Sequence, residues 1–107
     1  MIIIKRKTMA ERKLKPIHPG EVLREEFLKP FSISEESLAQ SIGASVQNIH
    51  EVVSERQSVT AETALRLAKF FGTSAQFWLG LQSDYDLDTT REILGERLEK
   101  EIQPLAA

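Results

Sequence analysis

Apolar residues recur every three or four positions from residue 19 onward, which is the spacing of helices that pack one face against a core. Pro19 can stand in the first turn of a helix, where its missing N–H costs nothing. Pro30 ends the first apolar run. The pattern therefore predicts a first helix from Pro19 to just before Pro30, with its apolar positions at Val22, Leu23, Phe27 and Leu28.

The next three helices carry their own start and stop signals. Ser34, Ser45 and Thr60 precede apolar-periodic runs and can cap the first free N–H groups of a helix. Gly43 and Gly72 follow the second and fourth runs, where a helix commonly ends in a left-handed residue. The predicted inward positions are Leu38, Ala39 and Ile42 in the second helix, Ile49, Val52 and Val53 in the third, and Ala64, Leu65, Ala68 and Phe71 in the fourth.

The C-terminal third predicts one or two further helices. Thr73 and Gln76 have the spacing of a capping box, and Trp78 is the expected large core anchor of that helix. A last helix is predicted from about Asp88 to Lys100. Its apolar positions are Ile93, Leu94 and Leu98, and Ile102 continues the same stripe just after the predicted helix. One small core has little room for this stripe, so we expect part of it at a dimer interface or a partner surface. The fold class is all-α, with five to six helices.

Six positions in the second and third helices match the requirements of a helix-turn-helix, in which two short helices cross at a tight turn. The crossing needs a small residue, the turn needs a residue that tolerates positive φ, and the second helix must place an aliphatic residue in the core. Ala39, Gly43 and Ile49 fill these roles in this order and spacing. The remaining apolar slots of the predicted helix-turn-helix core are Leu38, Ile42 and Val52.

The outward face of the third helix carries groups that can read DNA. If Ile49 points inward, Gln47 and Asn48 point outward at 100° per residue, and amide side chains pair with adenine in the major groove. His50 lies at the edge of this face and is interpreted as a polar contact. Glu51 either accepts from cytosine or, as we favour, holds a basic neighbour. The predicted DNA-binding residues are Ser45, Val46, Gln47, Asn48, His50 and Arg56.

Val46 has two open interpretations: an exposed contact to a thymine methyl group or, as favoured here, a core residue. The third helix itself has no Lys or Arg. Attraction to phosphates must therefore come from Arg56 and from the N-terminal basic residues. Because such a domain should bind weakly alone, we expect a homodimer that reads two half-sites about 34 Å apart.

Charge divides the chain into three parts, although the net charge is only −2. Residues 1–18 hold six basic side chains and one acidic, residues 19–83 hold five and eight, and residues 84–107 hold three and seven. We predict a basic N-terminal arm (1–18), a helix-turn-helix domain (19–86), and a C-terminal helix with an acidic tail (87–107) that belongs to the same domain or to a dimer interface. "AERKLKPIHPGE" after Met9 resembles a normal start, which leaves Met1 and Met9 both open as the first residue.

The composition excludes several classes of protein. There is no cysteine and there are only two histidines, far apart, so no metal site and no cofactor are expected. No nucleophile–base pair or phosphate loop indicates an enzyme. No apolar run approaches the roughly 20 residues that span a bilayer, and the N-terminal triplet is too short for a signal peptide. A cytoplasmic protein without membrane contact is predicted.

Four segments of the sequence resemble one known family. They read "HPGEVLREEFL", "SLAQSIGAS", "VTAETALRLAKFFGTSAQFWLGLQ" and "YDL". Together they are similar to the HigA antitoxins, xenobiotic-response-element-type helix-turn-helix proteins that include virulence-associated protein I. The resemblance covers about residues 13–105.

The resemblance implies a lambda-repressor-like domain that homodimerises, neutralises a HigB-type toxin and represses its own operon by binding operator DNA. It places Ser45, Gln47, Asn48 and His50 on the family's base- and phosphate-contacting positions. Family members often carry Arg where Val46 stands and a Gly-Arg-Arg loop in place of residues 55–57. Both departures remove positive charge. The alternatives are a protein-binding antitoxin or an orphan regulator with weakened DNA binding, and a phage-type repressor.

Overall fold

The computed structural model describes residues 15–106. Residues 1–14 of the predicted N-terminal arm therefore lie outside the described residues. The described chain is all-α and contains a helix-turn-helix, as the sequence predicts. The elements are α1 (Pro19–Val22) continued by a π-helical turn (Leu23–Leu28), α2 (Glu35–Ile42), α3 (Val46–Val53), α4 (Ala61–Phe71), α5 (Ala75–Leu94) and α6 (Arg97–Glu101).

His18 caps α1, which it does with its ring rather than with a hydroxyl. Its Nδ1 accepts from the N–H of Gly20 at 2.8 Å, and Pro19 stands in the first turn. The ring packs edge-on against Tyr85 of α5, with centroids 4.8 Å apart. A buried ring nitrogen that accepts a hydrogen bond must be unprotonated. Burial lowers the pKa of His18, and this effect exceeds that of the negative charges of Glu55 and Asp86, which act to raise it.

The π-helical turn places two leucines in the core. Leu23 and Leu28 are both buried, although five residues separate them. A π-helical turn makes this possible, since its N–H groups reach the carbonyl five residues back, as Lys29 N–H does to Arg24 at 3.1 Å. The predicted first helix is therefore present, with an underwound π-helical turn that the 3.6-residue period does not reveal.

The predicted caps of the next three helices are confirmed. Ser34, Ser45 and Thr60 accept from the N–H three residues on, at 3.0, 3.0 and 3.2 Å. Gly43 and Gly72 end α2 and α4 in the left-handed conformation, at φ 71° and 78°.

Two predictions in this part of the chain are wrong. Leu65 is 63% exposed, and Leu67 takes the inward place on α4 instead. Thr73 does not cap α5: Ser74 does, by accepting from Phe77 N–H at 3.0 Å. The Thr73 hydroxyl accepts from the indole N–H of Trp78 at 2.9 Å.

The core lies between the helices α1 to α5, and Trp78 is its largest fully buried side chain, as predicted. Phe27 and Phe71 pack against the indole with ring centroids 5.1 and 6.4 Å away. Gln82, also buried, accepts from Val59 N–H at 2.8 Å and so fixes the loop before α4 to α5.

The predicted last helix from Asp88 does not exist as a separate element. α5 runs without interruption from Ala75 to Leu94, so residues 87–94 belong to that helix. Gly95 ends it at φ 56°, and the short α6 follows. Ile93, Leu98 and Ile102 are all exposed, so their burial in an interface remains a prediction.

Gly20 and Gly80 should respond in opposite directions to alanine. A Cβ at Gly20 would overlap the carbonyl oxygen of Val52, whereas nothing lies within 4 Å of a Cβ at Gly80. We expect Gly20→Ala to lower the free energy of unfolding by about 1–3 kcal/mol. Gly80→Ala should raise it by about 0.5–1 kcal/mol, as for an unobstructed helix position. Urea denaturation of both variants measures this, and stabilisation by Gly20→Ala would contradict the close approach.

The His18 cap should make the protein less stable in mild acid. Below about pH 6.5 the unfolded chain binds a proton at His18 that the native protein, with its lowered pKa, does not. The free energy of unfolding therefore falls as the pH drops from the ordinary pKa towards the lowered one. His18→Asn keeps a capping acceptor and removes the titration, so it should lose less stability than the wild type between pH 7.5 and 5.5. Equal losses in urea denaturation at the two pH values would contradict the assignment.

Candidate nucleic-acid interface

The helix-turn-helix is formed by α2, the turn at Gly43 and α3. Gly43 N–H bonds to the carbonyl of Ala39, and Arg66 of α4 donates to the carbonyl of Ile42 at 2.8 Å. These bonds satisfy the free carbonyls at the end of α2, which is why the turn is tight. The residues of the predicted core Leu38, Ala39, Ile42, Ile49 and Val52 are all buried.

One face of α3 is left open to solvent. Gln47 is exposed, and Asn48 is partly exposed beside it. Val46 is 44% exposed at the start of the helix, so the favoured interpretation of this residue as core is wrong. Its methyl groups are accessible for an apolar contact.

Ser45 has a double capacity at the start of α3. Its hydroxyl oxygen accepts from Asn48 N–H, which leaves the hydroxyl proton free to donate to an anion. The first N–H groups of α3 point the same way, and the positive end of the helix dipole adds to them. A phosphate is therefore an appropriate ligand for this end of the helix.

His50 is held by a residue from the other helix of the motif. Its Nδ1 lies 2.9 Å from Oε1 of Glu35 in the first turn of α2, and its Nε2 lies 3.5 Å from Ser54 Oγ. The carboxylate oxygen can only accept, so this contact requires a proton on Nδ1. No local pattern in the sequence indicates this contact, since 15 residues separate the partners.

The cations next to α3 are paired with acids. Arg56 bonds to both carboxylate oxygens of Glu51, at 3.2 and 3.4 Å, which is the role favoured for Glu51. Arg24, from the π-helical turn, donates to the carbonyl of Val53 at 2.6 Å and pairs with Glu55 at 3.3 Å. These acids offset the positive charge that phosphates would attract.

Glu55 occupies an unusual backbone position just after α3. Its φ of 65° lies in the left-handed region, where residues other than glycine or asparagine are uncommon. The ion pair with Arg24 holds it there, across 31 residues of sequence. Neither residue carries a local signal for this ion pair, so the sequence does not predict it.

Within residues 15–106, no group of three His, Asp or Glu side chains converges as metal ligands would. In the same part of the chain, no helix has the length and apolar character needed to cross a membrane.

Three known proteins show what the chain is similar to. It is 52% identical over 71 residues to virulence-associated protein I of Dichelobacter nodosus, which covers 66% of each chain. It is 33% identical to antitoxin HigA-1 of Vibrio cholerae over 97 residues, 91% of this chain and 90% of that one. The structure of the Pseudomonas aeruginosa antitoxin HigA with the higBA promoter superimposes with a TM-score of 0.82 at 46% identity, over 85% of this chain and 99% of that one.

No family model matches the sequence. Two of these relatives nevertheless cover 85% and 91% of the chain, at 46% and 33% identity. The chain therefore belongs to the HigA family of helix-turn-helix antitoxins and transcription regulators, a family of non-enzymatic proteins.

Proposed function

We propose that the protein is a HigA-type antitoxin that binds operator DNA through α3, represses its own operon as a homodimer and neutralises a HigB-type toxin. The observation that carries the proposal is the exposed amide pair of Gln47 and Asn48 on the open face of a capped second helix of the motif. A relative of 46% identity was solved with promoter DNA, and another is named an antitoxin. Since its operator is genomic DNA, the protein acts in the cytoplasm.

Each proposed contact has a separate role. Gln47 and Asn48 pair with base edges, and Val46 touches a thymine methyl group. Ser45 donates to a phosphate at the start of α3, and His50 offers Nε2 to a polar edge. Arg56 contributes a phosphate contact once it leaves Glu51.

A second candidate is a toxin-binding antitoxin with weakened DNA binding. The pairing of Arg24 and Arg56 with acids favours it, because little free positive charge remains beside α3. The two candidates differ in a single observable, the affinity for promoter DNA.

Replacing the amide pair should remove specific binding. We expect Gln47→Ala/Asn48→Ala to weaken binding to the protein's own promoter by tenfold or more, since a good bidentate base contact contributes about 1–3 kcal/mol of discrimination. A gel-shift titration at two salt concentrations measures this beside the wild type. If the folded, dimeric wild type does not bind at micromolar concentration, the second candidate replaces the first.

Removing the charge of Glu51 should strengthen DNA binding. Glu51→Gln frees Arg56 for a phosphate, so the affinity should rise and the salt dependence should steepen by about one for each added phosphate contact. Glu101→Gln is the matched control, because it also removes one acid from an exposed arginine pair, on α6. An equal rise in both variants would assign the effect to net charge alone and would contradict a role for Arg56.

A further inference from the structure

The imidazole ring of His50, at the edge of the open face of α3, is held by an acidic side chain of α2. Its Nδ1 lies 2.9 Å from Oε1 of Glu35, 15 positions earlier in the chain. The side chain of Glu35 is 31% exposed and that of His50 is 53% exposed. The ring is therefore the more accessible partner of the pair, and the carboxylate lies behind it.

Glu35 occupies a favourable and well-fixed place for a carboxylate. It is the first residue of α2, after the N-cap Ser34, and the positive end of the helix dipole stabilises an acid in this turn. Leu38 of the same helix and Ile49, which precedes His50 on α3, are both fully buried. Core packing therefore sets the separation of the two helices here, and with it the point from which the carboxylate meets the ring.

The carboxylate decides which nitrogen of the neutral His50 ring carries the proton. A carboxylate oxygen only accepts, so Nδ1 has to donate, and in a neutral imidazole Nε2 then keeps its lone pair. Ser54 Oγ lies 3.5 Å from Nε2, which is longer than an ordinary hydrogen bond. A hydroxyl can also donate or accept, so Ser54 does not fix the tautomer, whereas Glu35 does.

The position of this proton determines which base edges fit the ring. In the major groove, adenine and cytosine present a donor, the exocyclic amino group on C6 or C4, whereas the edges of guanine and thymine present acceptors. A ring with a lone pair on Nε2 suits the amino groups. A ring with its proton on Nε2 would suit guanine or thymine instead.

The contact between Glu35 and His50 has little value for stability. Exposed charged pairs contribute little to the free energy of unfolding, because solvent screens the charges and ordering both side chains costs entropy. The two helices of the motif are already joined by buried apolar side chains. The main consequence of the contact is therefore its effect on the ring.

We propose that Glu35 is a positioning residue for DNA recognition: it holds the proton of the neutral His50 ring on Nδ1, so that Nε2 accepts from the amino group of an adenine or a cytosine. The reading of the base rests on the proposed function, whereas the placement of the proton does not. Glu35 acts in this role only through His50.

The placement of the proton is measured in the free, full-length protein by NMR. In a ¹⁵N-labelled sample, the shifts of the two ring nitrogens distinguish the Nδ1–H tautomer, the Nε2–H tautomer and the imidazolium ion. We expect the Nδ1–H pattern for His50 in mildly alkaline buffer. The only other histidine, His18, is an internal reference: its Nδ1 accepts from Gly20 N–H, so it should show the opposite, Nε2–H pattern.

Two alanine variants separate positioning from a general loss of charge. Glu35→Ala and Glu36→Ala each remove one acid from the first turn of α2, but it is Glu35 that bonds to the ring. Glu35→Ala should move the His50 signals towards a mixture of tautomers, and Glu36→Ala should leave them unchanged. A wild-type Nε2–H or imidazolium pattern, or no change in Glu35→Ala, would overturn the proposal.

The reading step is measured by binding to the protein's own promoter, with each base pair of the operator replaced in turn. The pair read by the ring is the one whose replacement no longer matters in His50→Ala. There the wild type should prefer an adenine or cytosine edge by about fivefold, the factor that one hydrogen bond supplies. Glu35→Ala should lose most of this preference, and Glu36→Ala should keep it.

The two measurements distinguish failure of this inference from failure of the proposed function. If the wild type binds the promoter but no pair behaves in this way, or the preferred edge is that of guanine or thymine, the inference alone is overturned. If the folded wild type does not bind the promoter, the proposed function fails and the reading role falls with it. The ring-nitrogen shifts still decide whether Glu35 places the proton.

Discussion

The recognition helix is positioned by backbone contact at its C-terminal end rather than by its own few core residues. Gly20 brings α1 so close to the carbonyl of Val52 that no Cβ fits between them, and Arg24 donates to the next carbonyl, that of Val53. Both carbonyls belong to the last turn of α3: that of Val52 accepts from Glu55 N–H at 2.9 Å, and that of Val53 accepts from Arg24. The first helical segment therefore fixes the end of α3 by one close backbone approach and one hydrogen bond.

The contacts at the end of α3 also involve charged side chains. Arg24 donates to the Val53 carbonyl and forms an ion pair with Glu55, and Arg56 forms an ion pair with Glu51. The amide side chains of Gln47 and Asn48 are therefore accessible to solvent, whereas Arg24 and Arg56 are held in ion pairs. In the proposed function, specificity and attraction, which many DNA-binding helices combine, are separated: the exposed amides of α3 are the proposed base-reading groups, and the proposed attraction to phosphates requires an ion pair to break or residues outside the domain to contribute.

The sequence predicted the features that follow from local rules. Three caps and two left-handed glycines were correct, because a hydroxyl or a glycine at a helix end acts on its immediate neighbours. Trp78 was correctly placed in the core by its size.

The failures share a different cause, since each depends on contacts between distant parts of the chain. Leu65 was expected inward and Val46 was favoured as core, although the packing of α4 and α3 leaves both exposed. The sequence predicts a last helix from about Asp88, whereas α5 runs without interruption from Ala75 to Leu94. The partners of His50 and Glu55 lie 15 and 31 residues away, beyond the reach of any local pattern.

The unbroken length of α5 gives the molecule a mechanical property. Its inner half is locked into the domain by Trp78 and by the bond from Gln82 to the loop before α4, while its outer half extends the same rigid axis by about 15 Å. The helix is thus a rigid rod whose N-terminal half is fixed in the helix-turn-helix domain. A protein bound to the outer half of α5, whether a second copy or another protein, is therefore held at a fixed orientation relative to α3, because both helices pack in one core.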